Sequence, residues 1–190
     1  MEPSDEALCQ RVAERDEAAF DLLVARYQER AYRIAWSVLR DGEEARDVSQ
    51  EAFIRLYQAA GGFGGRARFS TWFYRILVNL CLDHRRKHAW WKRVLGGGRP
   101  DEPDGREAVI ERQPAEPVDP LAGLGREQVM TQLWAAVATL SPQQRAVVTL
   151  HVQDELPTRE IAGVLSCSEA TVRVHLHRAL ISLRATLGKA

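Results

Sequence analysis

The chain has 190 residues, and its 26 Lys and Arg equal its 26 Asp and Glu, so the formal net charge is zero. Taken whole, that balance argues against a uniformly basic nucleic-acid coat or an acidic tail. The length allows one ordinary domain or two small ones, and a composition 45% hydrophobic and 27% charged can build cores. The cysteines, Cys9, Cys81 and Cys167, form no C-x-x-C pair, which predicts neither a disulfide framework nor a four-thiolate zinc site. A reducing compartment is the natural setting. No apolar run reaches the roughly 18 residues of a bilayer span, and Met1 to Asp5 lacks a basic-then-apolar signal pattern. The expectation is a soluble, cytoplasmic protein with no membrane contact of its own.

Resolved along the chain, the zero is a sum of unlike parts. Residues 1–60 carry eight basic and thirteen acidic side chains, or −5. Residues 61–93 carry eight basic side chains against Asp83 alone, or +7. Residues 94–130 come to −4 and residues 131–190 to +2. Neutrality conceals one concentrated basic block.

In chain order, Phe20, Leu23, Tyr27, Ala31, Ile34 and Val38 recur at spacings of three and four, which predicts an amphipathic helix. Asp41-Gly42 interrupts it. Asp41, with Glu44 three residues on, predicts the cap of a second helix that buries Ala45, Val48, Ala52 and Leu56. Gly61 to Gly65 break that helix. Ser70 is the expected cap of a third, running through Trp72, Phe73, Ile76, Leu77 and Leu80 into Arg85-Arg86-Lys87. Five of the eight prolines then cluster between Pro100 and Pro120 among glycines and acids, a composition that cannot offset its ordering entropy and predicts a flexible linker over 94–127. Beyond it, Val129, Leu133, Val137 and Leu140 open a second helical unit. Ser141-Pro142-Gln143-Gln144 combines a Ser cap, Pro at the first helical position and Gln at the third. Two short helices follow, Thr158 to Leu165 and Ser168 to about Leu187, separated by the very short turn Ser166-Cys167. The fold class is therefore all-α: two small helical domains, residues 1–93 and 128–190, with the second a helix-turn-helix.

Three constellations carry chemistry. The second helix of the helix-turn-helix turns Ser168, Glu169, Thr171, Arg173, His177 and Arg178 outward, and short polar residues followed by cations suit base edges and phosphates in a major groove. The plainer alternative is a helical hairpin with a solvated charged face. The basic block interleaves aromatics with cations, from Phe63, Arg66 and Arg68 to Phe69, Trp72 and Phe73, which suits unpaired bases stacked on rings with phosphates held by guanidinium groups. The alternative is that the aromatics are simply core. Asp47, Gln50 and Glu51, at i, i+3 and i+4, share one helical face able to grip a basic partner helix, or to do nothing but face water.

Cys81, His84 and His88 resemble metal ligands only at first sight. Cys81 and His88 lie about 10 Å apart along a helix, too far for one ion, and the surrounding cations repel a metal, so no metal and no cofactor are expected. The glycine clusters lack the Lys-Ser/Thr of a phosphate loop, and no Ser, His and acid arrangement stands out. No enzymatic activity is expected.

These pieces, in this order, resemble a bacterial RNA polymerase sigma factor of the extracytoplasmic-function (ECF) group in the sigma-70 family. The resemblance covers nearly the whole chain. Ala19-Phe20 through Tyr27 looks like the opening of region 2. Glu44 to Phe53 resembles the polymerase-binding segment, and Ser70 to Ile76 with Asn79 and Asp83 resembles the promoter-melting helix. Leu140-Ser141-Pro142 through Ala162, and Thr171 to Ala179, resemble region 4.

The resemblance implies roles. Asp47, Gln50 and Glu51 would dock on the clamp helices of core RNA polymerase. The loop Gly62 to Phe69, including Phe63, Arg66, Arg68 and Phe69, would capture a base flipped from the minus-10 element, with Asn79, Asp83 and Arg86 holding the promoter strand. Ser168, Glu169, Thr171, Arg173, His177 and Arg178 would face the minus-35 element. An anti-sigma factor would be the controlling partner, and the acidic linker would lie in the polymerase cleft or act as a tether. Ser166 stands where many relatives have Gly, His175 where many have Arg, and Pro157 at the usual Ser cap, with Thr158 as the expected substitute. A free-standing helix-turn-helix regulator of duplex DNA is the rival reading.

Overall fold

The computed structural model describes residues 3–96 and 136–187, and every regular element among them is helical. Helices α1 (Asp5–Ala13), α2 (Glu17–Leu39) and α3 (Gly42–Ala59), a 3₁₀ turn (Ala60–Gly62) and α4 (Phe69–Gly96) form the amino-terminal unit. A helical turn at 136–138, then α5 (Pro142–Val152), α6 (Thr158–Leu165) and α7 (Glu169–Leu187), form the second. The expected linker lies outside the described residues, except that 94–96 continue α4.

The helix starts show local chemistry at work. Asp16 caps α2 through Ala19 N–H at 3.0 Å, and Asp41 Oδ1 accepts from both Glu43 and Glu44 N–H at 2.9 Å at the head of α3. Ser141 and Gln144 form the reciprocal capping box expected for α5, with Pro142 at its first position. Two expected caps differ. Helix α4 begins at Phe69, so Ser70 lies inside it, and the free Phe69 N–H donates instead to Glu6 Oε1 of α1 at 3.1 Å. Pro157 occupies the cap position of α6 without a side-chain bond, and the Thr158 hydroxyl donates across to Glu169 Oε1 at 2.6 Å. At α4 a residue distant in sequence does what a local cap was expected to do, whereas at α6 the expected cap, Thr158, spends its hydroxyl on a bond to α7 instead.

Helix α1 has no counterpart in the sequence reading, because Leu8, Cys9 and Val12 are too few to establish a period. Asp5 pins it in place, accepting from Tyr27 Oη and from Arg26 at 2.6 Å each. Burial and this hydrogen bond push the Tyr27 hydroxyl pKa well above its ordinary value, so it remains a donor at all physiological pH. Around Tyr27 the rings of Phe69, Phe73 and Tyr74 lie at 5.2, 5.7 and 6.1 Å, each close to edge-on. The expected apolar stripes face this core: Leu23, Ala31, Ile34 and Val38 from α2, and Ala45, Val48, Ala52 and Leu56 from α3.

In the second unit Ile161, Val164 and Val172 close the angle between α6 and α7, which stack on Ala146, Val147 and Leu150 of α5. The turn is made by Ser166 in the left-handed region (φ 53°, ψ 40°). The two units touch, with α4 against α6 and α2 against α5.

A side chain at Ser166 carries a steric cost that glycine lacks. Ser166→Gly should raise stability by about 0.5–1 kcal/mol net of glycine's unfolded-state entropy, read as a Tm increase of a few degrees by circular dichroism.

Candidate nucleic-acid and protein interfaces

The aromatic-basic block divides into a loop and a helix. The 3₁₀ turn ends where Phe63 N–H donates to Ala60 O at 3.0 Å, and Gly65 then takes φ 65°, a conformation that favours glycine. This turn lifts Gly64 to Arg68 into solvent. Phe63, half-buried, leans on Trp72 and Phe69 with centroids 5.2 and 6.1 Å away. The structure thus brings Phe63, Arg66 and Arg68 together around an exposed loop backed by rings.

Phe69 stands apart from them. Its ring is fully buried, stacked on Phe73 and edge-on to Tyr27. It is the floor beneath the loop and offers no face to a base, which corrects its expected place among the contacting residues. Rings at a turn read alike in sequence, and only the packing separates the exposed one from the core one.

Asn79, Asp83 and Arg86 lie farther along α4, the first about 15 Å of helix rise from Phe69. All three are exposed, and Arg86 is paired with Asp83. Cys81 and His88, weighed above as ligands, are separated by burial: Cys81 is fully enclosed, its thiol pushed up to about 12 by desolvation, whereas His88 faces water. A protonated, enclosed thiol is a poor ligand.

On α3, Asp47 and Gln50 are exposed and Glu51 half-buried, with Glu51 Oε1 held by Arg55 at 2.7 Å. Two further residues complete this face. Ile54, seven residues after Asp47 and 51% exposed, adds an apolar side chain to the polar stripe. Beside Gln50, an open groove of about 710 Å³ runs between α2 and α3, floored by Val24 and Phe53 and edged by Tyr32 and Arg46. The helical period places Ile54 on this face; Tyr32 needed the α2–α3 packing to reveal it.

In the helix-turn-helix, Ser168 sits just before α7 and accepts from Thr171 N–H at 3.1 Å, its hydroxyl 2.8 Å from that of Thr171. Glu169 Oε1 receives both Thr158 and Arg173, each at 2.6 Å. The Thr158 bond first, then Arg173, holds the Glu169 carboxyl below its ordinary range, so it is ionised at neutral pH. Glu169 therefore ties the two helices and orients Arg173. His177 is exposed and Arg178 half-buried, one to two turns farther along α7.

A helix-turn-helix unit and a helical bundle bearing an aromatic-basic loop define a two-domain helical protein of the transcription-factor class. Family models sharpen this: Sigma-70 region 2 matches residues 23–91 and Sigma-70 region 4 matches residues 130–183. Among curated relatives, the RNA polymerase sigma-H factor of Pseudomonas aeruginosa is 32% identical over 185 residues, covering 92% of this chain and 89% of that one. The ECF RNA polymerase sigma-E factor of Escherichia coli K12 is 32% identical over 183 residues, covering 93% and 90%. The fold also resembles that of CnrH in complex with the cytosolic domain of CnrY (TM-score 0.67, 21% identity, 97% of each chain). It resembles as well the sigma factor RpoE bound to the anti-sigma factor NepR from Bartonella quintana (TM-score 0.66, 19% identity, 88% of this chain and 96% of that one). The chain belongs to the sigma-70 family and is a sigma factor of the ECF type. Among the described residues no helix is long and apolar enough to cross a membrane.

The two phenylalanines of the loop provide a direct check. Phe69→Ala should cost about 3–5 kcal/mol of stability as a buried aromatic truncation, measured by urea unfolding. Phe63→Ala should cost less than half as much and instead weaken binding of the polymerase complex to opened promoter DNA.

Proposed function

We propose that the protein binds core RNA polymerase through Asp47, Gln50 and Glu51 of α3, with Ile54 and the Tyr32 groove extending that surface, and directs it to a subset of promoters. Phe63, Arg66 and Arg68 receive an unstacked base and its phosphates at the minus-10 element, while Asn79, Asp83 and Arg86 line the strand along α4. Ser168, Thr171, Arg173, His177 and Arg178 face the minus-35 element, with Glu169 steering Arg173. On this reading residues 1–93 and 128–190 are the functional domains and 94–127 their acidic tether.

The observation that carries the reading is the union in one chain of an exposed basic loop backed by aromatic rings, a helix-turn-helix and an exposed carboxylate-amide face. A duplex-binding regulator needs only the second. The physics is an exchange: unstacking a base costs a few kcal/mol, returned by ring and phosphate contacts only where the sequence fits. Recognition and melting become one step, and no bond is made or broken by the protein, which acts in the cytoplasm without catalytic groups or a cofactor. An anti-sigma factor is the expected controlling partner, as in the solved RpoE–NepR complex.

Run-off transcription with core polymerase and a promoter library tests the proposal. Specific start sites should appear; tight duplex binding by the protein alone with no transcript would establish the free-standing regulator instead. Gln50→Ala should weaken polymerase binding while sparing DNA recognition by the assembled complex. Arg178→Ala should do the reverse, lowering promoter affinity by about 5- to 150-fold, the range of one base or phosphate contact.

A further inference from the structure

The outer side of α4 carries a ring that the promoter contacts above leave out. Asn79, Asp83 and Arg86 are exposed at i, i+4 and i+7, and Trp90 follows at i+11 with 50% of its surface open. In a helix those four positions fall within about 60° of one another and so form one stripe. Among the described residues, Trp90 is the one large apolar side chain that α4 leaves exposed.

A lone apolar residue on a surface needs no explanation. The neighbours make this one informative. Arg85, Arg86 and Lys87 are exposed in the turn and a half before it, so the indole stands at the end of a cationic surface. Such charges attract a polyanion, and a flat ring beside them gives its bases a face to stack on. A membrane or a protein partner would ask for an apolar face of several residues, and α4 exposes a single ring.

We propose that Trp90 stacks on a base of the opened promoter strand about one turn beyond Arg86, so that the strand is held between two aromatic ends, Phe63 at the loop and Trp90 on the helix. The inference rests on the sigma-factor reading above for which strand the stripe meets.

Spacing supports the contact. From Asn79 to Trp90 the helix rises about 16 Å, equal to about five nucleotides at ~3.4 Å each along one strand. Residues four apart have β-carbons about 5–6 Å from each other, so a nucleotide whose phosphate meets Arg86 has its base within reach of the indole. Asp83 pairs with Arg86 and holds the guanidinium at that place on the stripe.

The chemistry also limits what the ring contributes. Every base has a π-face, so stacking on it tolerates any sequence. Trp90 therefore adds grip on whichever strand has opened and leaves promoter choice to the loop and the helix-turn-helix. Having no charge, it releases no counterion, and its share of the affinity does not fall with salt as that of an arginine contact does.

Trp90→Ala in the full chain tests this, with Trp90→Phe and Arg86→Ala beside it and helicity checked by circular dichroism. Binding of a fluorescein-labelled oligothymidylate to the free protein, read by anisotropy over a salt series, should weaken about 5- to 150-fold in Trp90→Ala, the range of one stacked base. The salt slope should stay that of the wild type, whereas Arg86→Ala should lower it by about 0.7. Trp90→Phe keeps an aromatic face and should restore most of the loss. With core polymerase, permanganate reactivity of opened thymines should fall by a similar factor at every promoter, without reordering them. The proposal is overturned by a wild type that does not bind the strand, by Trp90→Ala that binds it undiminished, by a loss that Trp90→Phe leaves unrestored, or by opening that Trp90→Ala leaves unchanged. Strand binding is read without polymerase, so the two readings fail separately. A wild type that held the strand through Trp90 but opened no promoter would sink the sigma reading alone; promoters opened equally well by wild type and Trp90→Ala would sink this inference alone.

Discussion

The packing of the α4 amino terminus around Tyr27 is the constraint from which the rest follows. Its three edge-on partners, Phe69, Phe73 and Tyr74, all belong to one turn and a half of α4. With their rings fixed inward, helical geometry leaves Trp72 half-buried at the margin and sends Arg75 out to solvent. Asp5 holds the Tyr27 hydroxyl and Glu6 holds the Phe69 amide, so α1 anchors both ends of the same cluster. The Phe63 loop is thereby mounted on a packed aromatic floor, with Phe63 edge-on to the buried Phe69.

Charge is distributed to match. The acidic first segment exposes Asp47 and Gln50 beside an apolar Ile54, the mixture of polar rim and apolar anchor found in protein interfaces. The basic block concentrates on the loop and outer face of α4. Several of its charges are already engaged: Arg86 by Asp83, Arg68 by Glu160, and in the second unit Arg173 by Glu169. Internal pairing of this kind offsets part of the free chain's attraction for a polyanion.

Much of this was legible in advance because helices advertise themselves. The stripe from Leu23 to Val38, the Asp41 cap, and the Ser141–Gln144 box with Pro142 depend on residues within four positions of one another, and each formed as the spacing predicted. The misses share one cause. Ser70 yielded its capping role to Glu6, sixty-four residues away, and Thr158 turned from its own helix to Glu169. In sequence Phe69 reads with Phe63 as a base contact, since aromatics in a glycine-rich turn carry no label for which ring packs inward. Helix α1 was too short for periodicity to speak.

By itself, then, the sequence determined an all-α chain, its helix-turn-helix, the segregation of charge and the family to which these belong, because each is written in local spacing or residue type. Tertiary structure alone decided which aromatic is floor and which is exposed, where Tyr32 opens a groove beside Gln50, and that Glu160 and Asp154 meet Thr71 and Tyr74 across the linker. Those outcomes depend on groups some eighty to ninety residues apart arriving at one place. No periodicity encodes such a meeting; it follows from the shape and polarity of surfaces that exist only once the helices have packed.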